Sequence, residues 1–148
     1  MGRVQGKMAL VTGGAQGLGE AIGKMLAKEG AKVTLTDVNG AGAEKVAAEI
    51  NAAHGAGTAF AFQHDVTDEA QWQEVLKAAH AAMGGLNVLV NNAGIGSLGS
   101  VEDETYDMFK KVQTVDVDSI FLGCKYAIPL MRDHGLGSIV NISSIAGI

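Results

Sequence analysis

The sequence has 148 residues, 47% hydrophobic and 18% charged, with a formal net charge of −5. That is enough chain for one folded domain, and its hydrophobic fraction excludes an intrinsically disordered segment. Eleven basic against sixteen acidic residues argue against a nucleic-acid-binding surface.

Met8-Ala9-Leu10-Val11 is a short unalternating apolar run ending at Thr12-Gly13-Gly14, which suits a strand buried on both faces. From Gly17 the period becomes helical. Leu18, Ile22, Met25 and Leu26 share one stripe, and Gly30 follows as a stop. Residues 32–37 read as a second strand and 41–53 as a second, alanine-rich helix with Val46 and Ile50 four apart. Residues 58–62 read as a third strand. Thr67 or Asp65 is placed to cap a third helix, whose apolar face is Trp72, Val75, Leu76, Ala79 and Met83. After the Gly84-Gly85 break, 86–90 form a fourth strand. A glycine-rich loop, a long helical pattern over 105–132 and a fifth strand over 138–142 complete the series. Strand alternating with helix predicts an α/β fold, a doubly wound parallel sheet covered on both faces, with 1–148 as one domain.

No run approaches the ~18 consecutive apolar residues of a membrane span, and the first residues do not read as a leader. The single cysteine, Cys124, cannot form an internal disulfide. The expectation is a soluble, cytoplasmic protein with neither membrane nor nucleic acid as partner. His54, His64, His80 and His134 show no metal-ligand spacing, so no metal is expected.

Glycine stands out, at 21 residues, about twice the ordinary share. With one proline and no Gly-X-Y period, this is neither collagen nor a flexible linker. The first strand-to-helix turn is Thr12-Gly13-Gly14-Ala15-Gln16-Gly17-Leu18-Gly19. Such a turn brings backbone N–H groups and a helix N-terminus up to an anion. It lacks the Lys-Ser/Thr ending of a P-loop. Asp37 ends the second strand, where a carboxylate can accept both hydroxyls of an adenosine ribose. It would repel a 2′-phosphate, and no arginine stands beside it, so NAD is expected rather than NADP.

Thr12-Gly13-x-x-x-Gly17-x-Gly19, Asp65-Val66, Asn91-Asn92-Ala93-Gly94 and Asn141-Ile142-Ser143-Ser144 occur in the order and spacing of the short-chain dehydrogenases/reductases. The chain resembles that family along its whole length. The resemblance implies a Rossmann-like sheet and an NAD-dependent oxidoreductase passing hydride between a secondary alcohol or ketone and nicotinamide. It implies that Gly13, Gly17 and Gly19 line the pyrophosphate, with Leu18 near the nicotinamide side. Asp37 would take the ribose, and Asp65 and Val66 would flank the adenine. Asn91, Ala93 and Gly94 would run along the cofactor, Asn91 also steadying the central sheet. Ser144 would be the catalytic serine, bonding the substrate oxygen. A homo-oligomer of the full-length protein is implied too, through the long fourth helix.

Two departures from the family pattern stand out. The position of its catalytic asparagine is occupied by Asp116, which helical spacing puts between Val112 and Ile120 on the inward apolar stripe. Either the aspartate alters the proton relay or it is simply tolerated. The family's Tyr-x-x-x-Lys pair lies beyond the serine, but the sequence ends at Ile148. The expectation is a sheet cut after about its fifth strand, a cofactor-binding portion without the general acid/base. Losing such a group costs about 10² to 10⁴ in rate. Tyr106 and Lys110 match Tyr-x-x-x-Lys nominally, but they precede the serine and open the wrong helix.

Alternative readings are a non-catalytic dinucleotide-binding domain, an S-adenosylmethionine-dependent methyltransferase and a nucleotide-sugar epimerase or dehydratase. The Asn-Asn-Ala-Gly and Asn-Ile-Ser-Ser segments favour the short-chain type. Residues 116–130 look similar to members acting on secondary alcohols, cyclic alcohols or hydroxysteroids.

Overall fold

The computed structural model describes residues 2–144. Its strands are β1 (Met8–Thr12), β2 (Lys32–Asp37), β3 (Ala59–Gln63), β4 (Val88–Asn91) and β5 (Ser138–Asn141). Helices α1 (Gly17–Lys28), α2 (Gly40–His54), α3 (Glu69–Met83), α4 (Tyr106–Gln113) and α5 (Ser119–Arg132) join them, with a π-helical turn over Thr114–Asp118 between the last two. All strand pairs are parallel, in the order β3-β2-β1-β4-β5. The chain winds outward from β1 to β3, then crosses back to lay β4 on the other side of β1. A reversal of this kind opens a crevice at the carboxyl ends of the central strands.

The central strand explains the two-layered core. Ala9 and Val11 pack with Val33, Leu35, Ala43, Val46 and Ile50 on the α1/α2 face. Leu10, between them, points the other way into Trp72, Val75, Leu76, Ala79, Met83, Ala127 and Met131 on the α3/α5 face. That alternation is the period of two of a pleated strand, here buried on both sides. Among the described residues β3 and β5 are the outermost strands, and Val140 of β5 is well exposed.

Three local expectations need correction. The fully buried stripe of α1 is Gly19, Gly23 and Ala27; of the expected stripe, Ile22 and Leu26 pack against the core, while Leu18 and Met25 are 56% and 49% exposed. Small residues let this helix lie close on the sheet; a Cβ on Gly23 would fall 2.5 Å from Leu35 Cδ2. The cap of α3 is Asp68, whose Oδ1 accepts from the N–H groups of Ala70 (2.9 Å) and Gln71 (3.1 Å). Neither Thr67 nor Asp65 caps it, because Asp65 Oδ1 is occupied locally by the Thr67 N–H and hydroxyl. Finally, the long helical pattern is interrupted. The π-turn inserts an extra residue and rotates the face that follows, so the buried stripe of α5 is Ser119, Gly123, Ala127 and Met131. Val112, Asp116 and Ile120 are only half-buried.

Candidate active site

A cleft of about 840 Å³ lies at the carboxyl end of the sheet. Gly13, Gly17, Leu18, Gly19, Asp37, Asp65, Val66, Ala93 and Gly94, all expected from sequence, line it together. A second groove, of about 570 Å³, lies at the opposite end near Lys7, Lys32 and His54. The carboxyl ends of α1 and α2 face that groove, which is the wrong polarity for a phosphate.

The glycine loop shapes one wall of the cleft. Gly17 has φ +58°, and a Cβ on it would meet nothing within 4 Å, so the space above this backbone is open. A Cβ on Gly19 would fall 2.0 Å from the Gly13 carbonyl oxygen, so only glycine lets α1 start this close to the loop. Asn39, Asp68 and Thr105 cap the next three helices with their side chains, but Gln16 gives α1 no such cap. The first N–H groups of a helix have no partner within it, and at α1 they are offered to the cleft. This is the cradle a pyrophosphate requires.

Asp37 stands across from the loop. Its Oδ2 accepts from the Ala15 N–H at 3.1 Å and its Oδ1 from the Asn39 N–H at 2.9 Å. Each carboxylate oxygen has a second lone pair, so the group is oriented and still able to accept ribose hydroxyls. Asp65 is exposed at the same rim. Val66 is buried, and its carbonyl accepts from Trp72 Nε1 at 2.8 Å.

Three residues of this region had no assigned role from sequence. Thr12 Oγ1 accepts from the Asn92 and Ala93 N–H groups, each at 3.0 Å. Asn92 Nδ2 donates to the carbonyl oxygens of Thr12 (2.8 Å) and Gly13 (3.3 Å). His64 lines the cleft from below. Its N–H donates to the Asp37 carbonyl at 2.8 Å, and its Nδ1 lies 3.2 Å from Thr36 Oγ1. Burial pushes its pKa down to about 4, against the pull of Asp65 and Asp68. His64 is therefore neutral at ordinary pH, and it meets Trp72 edge-on at 4.5 Å between ring centroids. Thr12 and Asn92 both stand inside the quoted motifs, which was the sequence signal for them. Nothing in the spacing pointed to His64.

Other expected residues sit outside the lining. Asn91 is buried beneath it, and its Nδ2 donates to Asn141 Oδ1 at 2.9 Å, tying β4 to β5. Asp116 lies in the π-turn, where its Oδ1 accepts from the Ile95 N–H at 2.9 Å. It therefore holds the backbone beside Gly94, whose added Cβ would lie 3.5 Å from that same oxygen. Ser144 is exposed beyond β5, at the carboxyl edge of the sheet. Tyr106 is exposed at the start of α4, with Lys110 Nζ 6.0 Å from its ring centroid. Tyr126 instead reaches α3, where Glu69 Oε1 accepts from its hydroxyl and from Lys125 Nζ. Lys125 and then Tyr126 hold the Glu69 carboxyl below its ordinary pKa. Among the described residues, no three or more His, Cys, Asp or Glu side chains gather to hold a metal. No described helix is long and apolar enough to cross a membrane.

Comparison with known proteins agrees with this geometry. The family model described as short chain dehydrogenase matches residues 7–148. A 2,5-dichloro-2,5-cyclohexadiene-1,4-diol dehydrogenase of Sphingobium indicum is 48% identical over 98% of this chain and 57% of its own length. A 3-beta-hydroxysteroid dehydrogenase of Comamonas testosteroni is 43% identical over 97% of this chain and 54% of its own. An NADP-dependent (R)-specific alcohol dehydrogenase of Lentilactobacillus kefiri is 41% identical over 98% and 57%. The chain thus spans a little over half the length of these relatives. Motif order, parallel sheet, glycine cradle and family match converge: the chain belongs to the short-chain dehydrogenase family.

Proposed function

We propose that the protein carrying this chain is an NAD-dependent oxidoreductase that moves hydride between a secondary alcohol or ketone and nicotinamide. The observation that carries the proposal is the pairing, across one cleft, of the uncapped α1 N-terminus with the oriented carboxylate of Asp37.

The dinucleotide, when bound, supplies the hydride donor or acceptor. The chain's residues supply the rest. The N–H groups at the start of α1 hold the pyrophosphate, and Gly17 leaves its space clear. Asp37 accepts from the adenosine ribose hydroxyls and repels a 2′-phosphate. Val38 and Asn39 follow it, where a 2′-phosphate site would place an arginine. One compared relative is named as NADP-dependent, so the preference for NAD rests on Asp37 alone. Asp65 and Val66 flank the adenine. Ala93 and Gly94 form the floor along the cofactor, with Asn91 bracing the strands below. Asp116 fixes the backbone at Ile95, and Ser144 donates its hydroxyl to the substrate oxygen, offsetting the charge that develops there. No tyrosine follows Ser144 within these 148 residues, and the proton-transfer step is assigned to none of them.

Two of the compared relatives are named for a cyclohexadienediol and a hydroxysteroid. The proposed substrate class is accordingly a secondary alcohol on a ring. The proposal includes a cytoplasmic site of action and self-association through α5, whose Phe121 and Ile128 are exposed. The test is NADH formation by the full-length protein from a panel of cyclic secondary alcohols. Turnover with NAD, exceeding that with NADP, is the expected result. No turnover with any alcohol or ketone would refute the proposal.

A further inference from the structure

His80 and His134 are 54 residues apart in sequence, yet their Nε2 atoms lie 3.0 Å from each other, with ring centroids 5.1 Å apart. We infer that this pair, at the far end of the sheet from the cleft, is a binding site for a divalent transition-metal ion of the nickel or copper type.

The backbone on both sides is fixed. His80 is in the last turn of α3, where its carbonyl accepts from both the Gly84 and Gly85 N–H groups at 2.9 Å. His134 follows the end of α5 in a turn closed by its N–H to the Met131 carbonyl at 3.1 Å. Gly85 makes the approach possible, since a Cβ there would fall 2.7 Å from His134 Cε1 and Nε2.

The spacing is closer to one coordination geometry than to another. Two nitrogens about 2.0–2.1 Å from an ion and cis to each other in square-planar or octahedral coordination are about 2.9 Å apart; tetrahedral coordination needs about 3.4 Å. The observed 3.0 Å is close to the cis spacing, and both rings, now nearly head-on with centroids 5.1 Å apart, must tilt toward the ion to share it. Without an ion, one imidazole donates from Nε2 and the other accepts. On binding, the donor ring carries its proton on Nδ1 instead, so both Nε2 lone pairs face the ion. Water completes the coordination. The carboxyl ends of α3 and α5 both carry partial negative charge toward this corner, which favours a cation. Lys32, with Nζ 3.3 Å from the Met83 carbonyl, opposes it, as do Lys77, one turn before His80 on α3, and Arg132 in the last turn of α5. A bound ion would clip α3 to the turn that leads into β5.

The test is calorimetric titration of the untagged full-length protein with nickel chloride, alongside His80→Gln, His134→Gln and a His54→Gln control. The expected result is one ion per chain, bound about tenfold or more weakly when either His80 or His134 is replaced. The control should bind as wild type. Melting temperature should rise with nickel in wild type and in the control only. Equal binding by wild type and the two pair variants would overturn the inference, as would no binding by wild type at millimolar nickel. Circular dichroism verifies that each variant is folded.

Discussion

Thr12 and Asn92, 80 residues apart, are joined by two hydrogen bonds in which Asn92 is the donor: its N–H donates to the Thr12 hydroxyl at 3.0 Å, and its side-chain amide to the Thr12 carbonyl at 2.8 Å. Thr12 ends β1 and Asn92 follows β4, the neighbouring strands on either side of the topological switch. These two bonds hold the glycine loop against the β4 loop at the wall of the cleft.

Asn92→Ala removes the donor to two carbonyls, one of them on buried Thr12. The expected cost is about 1–3 kcal/mol of stability, as for unsatisfied buried groups. NADH affinity should fall about tenfold as the loop loosens. Asn92→Asp, which cannot donate, should be no better. Denaturant unfolding and NADH titration check both effects.

Asp37→Ala should loosen the loop as well as remove the ribose acceptor, because Ala15 and Asn39 lose their shared partner. Hydrogen bonds to a charged group are worth about 1.5–3 kcal/mol, so NADH should bind about 10- to 100-fold more weakly. NADPH should gain relative to NADH. Steady-state KM values with each cofactor read the change.

Asp116→Asn keeps an Oδ1 acceptor for the Ile95 N–H, and Asp116→Ala does not. The asparagine variant should stay within about 0.5 kcal/mol of wild type in stability, and the alanine variant should lose about 1–2 kcal/mol. If the pair of variants behaves alike, the bond to Ile95 is not what the side chain contributes.

His64 gives stability a pH dependence with a definite sign. Its folded pKa of about 4 lies below the unfolded value of about 6.5, so the unfolded chain takes up a proton that the folded chain refuses. Its contribution is complete above about pH 6.5, falls as pH drops through the window and levels off below about pH 4. At about 1.4 kcal/mol per unit, the full loss is at most about 3.5 kcal/mol. His64→Gln should flatten the stability curve between those limits; an unchanged slope in urea unfolding would rule the residue out as its source.

Much of this was legible in the sequence because parallel strands buried on both faces read as plain apolar runs. β1 shows that pattern in Met8-Ala9-Leu10-Val11, and helical spacing showed the inward face of α3, Trp72, Val75, Leu76, Ala79 and Met83. The glycine loop was legible because its turn admits little but glycine. What failed did so where hydrophobicity is a poor guide to packing. The α1 helix turns glycines inward for closeness, and periodicity of large residues cannot show that. The π-turn at 114–118 shifts a helical face without changing composition. His64 and the His80–His134 pair depend on contacts between residues 28 and 54 positions apart, which no local window contains.

The central claim is that this cleft holds a nicotinamide dinucleotide and that Asp37 selects the form without a 2′-phosphate. Calorimetric titration of the full-length protein and of Asp37→Ala with NADH and NADPH tests it most directly. Wild type should bind one NADH per chain more tightly than NADPH, and Asp37→Ala should erase or invert that preference. Tighter NADPH binding by wild type, or the same preference in both proteins, would contradict it.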